Sequence, residues 1–194
     1  GLWPGQWEGK IYIDGKQVDI RNCQQAIAQG IAMVPEDRKR DGIVPVMAVG
    51  KNITLAALNK FTGGISQLDD AAEQKCILES IQQLKVKTSS PDLAIGRLSG
   101  GNQQKVVLAR CMATQPICLL CDEPTRGIDE GAKREVYAFL ADFAAKGGAV
   151  VVVSSEAPEV LEVSDRIAIF KKGHLSVVID GHQASQEELL HLAS

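Results

Sequence analysis

The sequence predicts an α/β fold in which a mainly parallel sheet carries helices on both faces. Two apolar runs of strand length, at residues 117–121 and 149–153, are predicted to be buried strands of that sheet. Helices are predicted at 103–114 and at 132–146, where apolar residues recur on one stripe. Strands that alternate with helices along the chain are typical of a parallel sheet.

Shorter elements are predicted on both sides of this alternating region. After the loop GLWPGQWEG, Asp14-Gly15 marks a hairpin turn, a short helix ends at Gly30, and IAMVP is a buried strand. Residues 49–86 have a mostly helical pattern that FTGGIS interrupts, with Asp69 as a helix cap. The elements predicted downstream are a short helix with Pro158 in its first turn, a strand pair at 166–170 and 175–179, and a last helix opened by a capping box of Ser185 and Glu188.

Composition and charge exclude several classes of function. The chain has 194 residues, of which 45% are hydrophobic and 23% charged, as is usual for a globular protein with a sizeable core. A net charge of -3 and an isoelectric point of about 5.7 offer no basic face to nucleic acid. The apolar run AVVVVS is far too short to cross a bilayer, so a role at a membrane requires a partner that spans it.

The five cysteines, Cys23, Cys76, Cys111, Cys118 and Cys121, form an odd and scattered set. Such a set suits a reducing compartment better than a disulfide framework. Cys118 and Cys121 form a C-x-x-C motif, but a zinc site needs a second pair or nearby histidines, which the sequence lacks. Both are therefore interpreted as small buried apolar residues on opposite sides of a strand.

A pair of acids follows the apolar strand in ICLLCDEP. A buried strand that ends in Asp122 and Glu123 places two carboxylates at the crevice where open α/β sheets bind ligands. An aspartate suits magnesium, directly or through water, beside phosphate oxygens. The next acid is suited to orient or deprotonate a water that attacks a γ-phosphate. The simpler alternative is a strand followed by an acidic turn.

A serine and two glycines precede a helix in RLSGGNQQKVVLAR. At Ser99, Gly100 and Gly101, backbone without bulky side chains can approach a phosphate, towards which the amide groups and the positive end of the helix dipole point. The Ser99 hydroxyl adds a donor. A helix cap with two turn glycines would explain Ser99 but not the LSGGNQQ run as a whole.

In this order and at this spacing the motifs resemble those of the ATP-binding-cassette family. LSGGNQQK resembles the signature loop, CLLCDEP the Walker B strand, and TRGID, which ends in Asp129, the D-loop. IAMVPEDRKRDGIV lies where the family has its Q-loop, and EGKIYIDGKQV resembles its antiparallel β-subdomain. The resemblance implies a P-loop NTPase fold in three parts: β-subdomain and core strand at 1–35, Q-loop and helical subdomain at 36–97, and catalytic core at 98–194.

Four segments resemble the second ATP-binding half of the double-cassette ATPases of bacterial monosaccharide importers: VPEDRKRDG, LSGGNQQK, DEPTRGID and SSEAPEVL. Within that group the upstream half of the chain resembles the xylose importers most. The implied function is ATP hydrolysis with Mg²⁺, coupled to monosaccharide uptake and most specifically to that of D-xylose. The implied partners are another ATP-binding cassette, transmembrane permease subunits and, indirectly, a periplasmic sugar-binding protein, with the ATPase peripheral to the cytoplasmic face of the inner membrane.

The resemblance also implies roles for individual residues. In the family, the signature loop of one cassette closes over the γ-phosphate of ATP held by the other. Ser99, Gly100 and Gly101 are therefore expected to act on a partner's ATP, and Asn102 with Gln103 to face the interface. The chain's own site is expected to use Asp122 as metal ligand and Glu123 as catalytic base, and the remaining residues expected beside nucleotide are Glu36, Asp129 and Ser155.

Three departures from the family pattern bear on activity. No G-x-x-x-x-G-K-[ST] motif, whose amides and lysine hold the β- and γ-phosphates, occurs in the 194 residues. Because the family places that motif just before GLWPG, we expect the chain to begin beyond the first strand and phosphate loop, and to be inactive alone. Glu36 replaces the Q-loop glutamine, and Ser155 replaces the switch histidine, whose imidazole a serine cannot mimic.

The histidines present, His174, His182 and His191, are predicted at the surface.

Two other functions stay open at this point. One is a cassette ATPase of a non-transport class, such as a DNA-repair or ribosome-acting protein, which also uses LSGG loops but which the acidic balance disfavours. The other is a non-catalytic regulatory cassette. Glu36, Ser155 and the missing phosphate loop favour that second alternative for the chain by itself.

Overall fold

The computed structural model describes residues 8–62 and 68–193. GLWPGQWEG falls almost wholly outside these residues, as does most of the FTGGIS interruption. The strands are β1 (Ile11–Ile13), β2 (Lys16–Val18), β3 (Ile31–Val34), β4 (Cys118–Asp122), β5 (Ala149–Val153), β6 (Arg166–Lys171) and β7 (His174–Asp180). The α-helices are α1 (Cys23–Ala28), α2 (Val49–Thr54), α3 (Asp70–Gln83), α4 (Gly100–Ala113), α5 (Glu130–Ala145), α6 (Ala157–Val163) and α7 (Gln186–Ala193).

Strands β3, β4 and β5 form a parallel sheet in that order, although more than eighty residues separate the first two. Val34 pairs with Cys121, which pairs with Val152, so the three strands end at the same edge. Two antiparallel pairs, β1–β2 and β6–β7, lie apart from this sheet in the described part of the chain. The predicted α/β class with a mainly parallel sheet is confirmed.

Helices α4 and α5 cover one face of the parallel sheet. Val34, Leu119 and Cys121 point into that layer and are almost fully buried. They belong to one hydrophobic cluster with the apolar side chains of both helices. Most of the 14 residues of α4 are buried, because α2 and α3 pack against the side of α4 that is turned away from the sheet. The core of the described chain is therefore centred on α4.

The predicted burial of β3 and β5 is wrong for most of their residues, because only Ala32 and Val34 of β3 are buried and no residue of β5 is. Alternate side chains project from the opposite face of the sheet, where Met33 is 41%, Val151 50% and Val153 56% exposed. In the described residues β5 is an edge strand, and the two large helices that bury the sheet pack on its other face. An unbroken apolar run does not record which of its two faces a helix covers.

A helical layer is joined to α4 through a buried asparagine. It comprises α2, a 3₁₀-helix at Leu55–Lys60, and α3, which Asp69 caps as predicted by accepting the Ala72 amide. The fully buried Asn52 side chain binds the amide and carbonyl of Val44, and Arg110 of α4 donates to its Oδ1 at 2.8 Å. The predicted division at 1–35, 36–97 and 98–194 stays a prediction, since one hydrophobic cluster includes residues from all three ranges.

Several local predictions are confirmed. Asp14 and Gly15 both have positive φ, as a tight hairpin turn requires, and Ser185 caps α7 by accepting the Glu188 amide. His174, His182 and His191 are exposed. In the part of the chain that is described, no helix is both long and apolar enough to cross a membrane.

The five cysteines are all free thiols. Cys121 and Cys111 are buried, and burial raises the pKa of each to about 12. Cys118, on the opposite side of β4 from Cys121, is half-buried, so the prediction of buried apolar cysteines holds fully for Cys121 and in part for Cys118. Cys23 is exposed at the start of α1.

The two faces of the sheet predict different responses to one substitution. Val34→Thr places a hydroxyl at a fully buried position, and we expect it to lower the free energy of unfolding by about 1–3 kcal/mol. Val151→Thr, on the half-exposed face, is the matched control and should change it by less than about 0.5 kcal/mol. Urea denaturation of both variants measures the difference, and equal losses would contradict the assignment of faces.

Candidate functional site

The acids predicted to be catalytic lie at the carboxyl end of β4. Asp122 pairs with Val153, the last residue of β5. Glu123 follows with a φ of 46°, the left-handed conformation that side chains rarely adopt, and its amide donates to the Val153 carbonyl at 2.8 Å. Its carboxylate Oε1 accepts the Ser155 amide at 2.7 Å. The structure thus brings together Glu123 and Ser155, two of the residues expected at the site.

Asp122 lies in a negative electrostatic environment. Partial burial raises the pKa of its carboxyl, and the charges of Glu36 and Glu123 raise the pKa further. A divalent cation placed here would remove that repulsion. Within residues 8–62 and 68–193 no group of three or more His, Cys, Asp or Glu side chains is placed to hold a metal. Magnesium often binds proteins through one or two carboxylates plus substrate phosphates, and Asp122 fits that mode.

A buried carboxylate that the sequence reasoning missed lies behind this pair. Glu159 of α6 is 7% exposed and accepts hydrogen bonds from Thr125 at 2.8 Å, Lys133 at 2.6 Å and Ser154 at 2.9 Å. Thr125 follows Glu123 by two residues, and Ser154 precedes Ser155. The carboxylate therefore joins the two segments that meet at Glu123. The only signal in the sequence is a glutamate amid the apolar residues of a short helix.

The serine of the signature loop caps α4 rather than lying within a loop. Ser99 is exposed, and its hydroxyl oxygen accepts the Asn102 side-chain amide at 3.0 Å and the Asn102 backbone amide at 3.5 Å. Because of this cap the helix begins at Gly100, three residues earlier than predicted. The Asn102 Oδ1 in turn accepts the Lys87 amide at 2.8 Å. The half-buried Asn102 side chain is thus held within the chain.

Gln103 was expected to face an interface, and that prediction is wrong. Its side chain is 6% exposed, and its amide nitrogen donates to the carbonyls of Leu98 at 3.1 Å and Ile95 at 3.4 Å. These bonds close the short 3₁₀-helix at Ile95–Arg97 onto α4. The neighbouring Gln104 is buried as well. Backbone acceptors satisfy the amide nitrogen of Gln103, whereas its Oε1 is buried without a hydrogen-bond partner among the described residues.

Both glycines of the predicted signature loop are closely packed inside the chain. A Cβ at Gly101 would lie 2.5 Å from the Cβ of Ala132 in α5. A Cβ at Gly100 would lie 2.6 Å from Nη2 of Arg38 and 3.1 Å from the carbonyl oxygen of Gly127. At Gly101 the contact is closer than any real Cβ contact and involves an atom fixed to the backbone of α5, so a side chain there forces the two helices apart. At Gly100 a side chain would displace the flexible end of Arg38 and press tightly on the Gly127 carbonyl. Access for a phosphate is therefore an additional reason for the glycines, not the only one.

The loop between β4 and α5 is held at three points. Asp129 caps α5 by accepting the Ala132 amide at 3.0 Å, which starts the helix two residues earlier than predicted. The carboxylate of Glu36 forms an ion pair with Arg126. Arg38 donates to the carbonyls of Arg126 at 2.7 Å and Gly127 at 3.0 Å. The predicted Q-loop segment and the predicted D-loop therefore meet in this structure. The Glu36 carboxylate, which was expected beside nucleotide, is paired with Arg126.

Comparison with known proteins agrees with this geometry. A family model described as ABC transporter matches residues 4–126. The chain is 74% identical over 193 residues to the xylose import ATP-binding proteins of Escherichia coli strain K12 and of Shigella boydii serotype 4. The alignment includes the whole of this chain but 38% of each relative.

Solved structures show a similar fold. An ATP-binding cassette in a dimeric post-hydrolysis state, bound to ADP and phosphate, superposes with a TM-score of 0.74 at 23% identity, over 91% of this chain and 75% of that one. A nucleotide-free cassette from an ABC transporter gives a TM-score of 0.76 at 19% identity, over 95% and 73% of the two chains. At such identities the likeness demonstrates the fold.

The Glu159 carboxylate predicts a specific loss of stability in acid. Burial alone would raise its pKa, but the hydrogen bonds from Lys133, Thr125 and Ser154 outweigh burial and hold the pKa below its ordinary value. The stabilisation is therefore complete above about pH 4.5 and is lost as the pH falls through the lowered pKa. We expect Glu159→Gln to lower the free energy of unfolding at pH 7 by about 1–3 kcal/mol and to flatten its decline in acid.

Urea denaturation from pH 3 to pH 7 measures this. Glu162→Gln on the exposed side of the same helix is the control, and it should leave both the stability and its dependence on pH close to those of the wild type. An acid-dependent loss that is the same in wild type and in Glu159→Gln would contradict the role given to this carboxylate.

Proposed function

Since this chain belongs to the ABC transporter family, we propose that it is a nucleotide-binding cassette that pairs with a second cassette and hydrolyses ATP to drive sugar import. The observation that carries the proposal is the position of the α4 N-terminus. Gly100, next to the exposed Ser99 cap, lies against Gly127, which is in the loop that connects Glu123 to α5. Two surfaces are thus fixed relative to each other. The donating surface is the α4 N-terminus at Ser99–Gly101, and the acidic surface is formed by the carboxylates of Asp122 and Glu123.

The acidic surface is proposed as part of the chain's own ATP site. Asp122 would hold Mg²⁺ together with phosphate oxygens, and the metal would supply charge neutralisation at the phosphates. Glu123 is oriented to accept a proton from an attacking water, with its Oε1 fixed by the Ser155 amide. Ser155 has no imidazole, and its amide already engages one of the two carboxylate oxygens of Glu123. We therefore expect this site to hydrolyse ATP more slowly than the site of the second cassette.

The donating surface is proposed to act on ATP held by the second cassette. The N-terminus of α4 is the positive end of a 14-residue helix dipole, and its first backbone amides have no partner within the helix. Ser99 is exposed there and Gly100 is half-buried, whereas the Gln103 side chain is buried. Ser99 and Gly100 are therefore proposed to meet the γ-phosphate directly, and Gly101, which is buried against Ala132, to take part only through its backbone amide. Asn102 would act by orienting the Ser99 hydroxyl.

The relatives support sugar import, and D-xylose in particular, as the process that ATP hydrolysis drives. The chain spans 38% of the length of these relatives, so the complete assembly is part of the proposal. Its other members would be the second cassette, membrane-spanning permease subunits and a periplasmic sugar-binding protein. The ATPase would lie peripherally at the cytoplasmic face of the inner membrane.

A pair of nearly isosteric substitutions tests the donating surface. Aspartate and asparagine are both good helix N-caps, so Ser99→Asp and Ser99→Asn should each keep α4 intact. Only the aspartate carries a negative charge towards the partner's γ-phosphate. In a reconstituted importer whose ATPase contains this chain, we expect Ser99→Asp to hydrolyse ATP at least about tenfold more slowly than Ser99→Asn.

Thermal unfolding of the two variants checks that the cap survives, and their midpoints should agree within a few degrees. Similar turnover by both variants would mean that no phosphate approaches Ser99. Glu123→Gln in the same importer should be milder than Ser99→Asp, because it affects the slower site. Abolition of turnover by Glu123→Gln together with full activity of Ser99→Asp would reverse the assignment of the two surfaces.

A further inference from the structure

One arginine connects the three motif-bearing segments of the site. Arg38 is the first residue of a π-helix at Arg38–Gly42, whose start Asp37 caps by accepting the amides of Lys39 and Arg40. Its guanidinium reaches across the chain to residues 88 and 89 positions later, donating Nη1 to the Arg126 carbonyl and Nη2 to the Gly127 carbonyl. Both carbonyls belong to the loop that connects Glu123 to α5.

Among the residues that the structure describes, no carboxylate forms an ion pair with the Arg38 guanidinium. Both of its hydrogen bonds go to backbone carbonyls, and its Nε is buried without a hydrogen-bond partner among the described residues. Burial lowers the pKa of Arg38, against a smaller opposite effect of Asp37. A charge kept at such a place contributes shape and directed donors rather than ion pairing.

The surrounding sequence leaves space for this guanidinium. Nη2 occupies the position next to Gly100, where a Cβ would lie 2.6 Å from it. Gly127 has a φ of 68°, and a Cβ there would lie 3.7 Å from Nη1. Arg38 is therefore enclosed by the first turn of α4 on one side and by the loop on the other. A change in the position of either element has to move the guanidinium.

A second contact runs parallel to the first. Glu36, two residues before Arg38, forms an ion pair with the Arg126 side chain, whose carbonyl Arg38 binds. Arg126 is thus held by both its side chain and its backbone from the same segment. That pair is exposed and contributes little on its own, so the two carbonyl contacts of Arg38 are the stronger constraint on the loop.

We propose that Arg38 is a positioning residue, whose forked guanidinium holds the loop at 126–127 and the first turn of α4 in the arrangement required for hydrolysis. The inference rests on the proposed function, because it assigns the contact to the ATP cycle. Arg38 touches no reacting group; it acts through the loop that follows Glu123 and through Gly100. A conformational change in the Glu36 segment would reach both surfaces through this side chain.

The proposal requires the two parallel N–H donors of the Arg38 guanidinium rather than its positive charge. Two adjacent carbonyls accept two parallel N–H groups, which a guanidinium supplies and an ammonium cannot. Arg38→Lys keeps the charge and much of the length but loses one contact. Arg40→Lys is the matched control, because Arg40 lies two residues away and is exposed, and its side chain hydrogen-bonds only to Asp41 among the described residues.

Both variants are compared with wild type in a reconstituted importer whose ATPase contains this chain. For Arg38→Lys we expect kcat for ATP to fall about tenfold to a hundredfold, because the reacting groups are misplaced. KM should stay within about twofold, because binding groups are untouched. The peptide at 123–129, whose Arg126 amide is bonded to the Glu123 carbonyl, should exchange its amide hydrogens faster, whereas Arg40→Lys should match wild type in all three measurements.

Three results would overturn the positioning role. These are unchanged kcat and exchange in Arg38→Lys, a raised KM with kcat preserved, and faster exchange spread over the whole chain with a lowered thermal midpoint. If the wild type itself hydrolyses no ATP, the proposed function fails. The exchange comparison at 123–129 then decides alone whether Arg38 holds the loop, so the two failures are distinguishable.

Discussion

The position of helix α4 depends on the absence of side chains at its first two residues, Gly100 and Gly101. Gly101 brings the helix against Ala132 of α5 at a separation that no Cβ would allow, and Gly100 leaves the place that Arg38 fills. This approach allows α4 to pack against α5 and brings its N-terminus to the loop after Glu123, while α2, α3 and β3 bury the rest of the helix. The same two glycines therefore serve the core and the site, which a substitution at either position cannot separate.

Buried polar side chains fix the segments that hydrophobic packing leaves free. Glu159 binds residues from the loop after β4, from α5 and from the end of β5, while Asn52 connects α2 to α4. Each has its hydrogen-bonding capacity largely satisfied, which is the condition under which a polar group in a low-dielectric interior stabilises one conformation. The left-handed backbone at Glu123 persists because such contacts determine both of its neighbouring segments.

How much the sequence predicted depended on the range of the interactions concerned. The strands, the Asp69 cap and the hairpin at Asp14-Gly15 are set within a few residues, and periodicity or turn chemistry identified them. The acids at the end of β4 followed from the same local pattern together with the general position of ligands in α/β sheets. These features include the fold class and the centre of the candidate site.

Apart from the starts of α4 and α5, which local caps moved by two or three residues, the failures involve neighbours that the local pattern does not contain. Whether Val151 is covered depends on which face α4 and α5 occupy, and Gln103 is buried because carbonyls outside its helix receive its amide. The contacts of Glu159 and Arg38 join residues 34 and 88 positions apart. The sequence does not distinguish an exposed charged side chain from a buried, hydrogen-bonded side chain of the same residue type. Only the tertiary structure does so.

The distribution of the thiols has a practical consequence for spectroscopy. With a pKa of about 12, the Cys111 and Cys121 thiols are ionised in only about one molecule in 10⁵ at neutral pH, and the strand and helices shield them as well. Alkylating reagents act on thiolates, so the exposed Cys23 at the start of α1 is the favoured position for a fluorophore or spin label. The native sequence thereby offers a reporter next to β3 without the removal of any core cysteine.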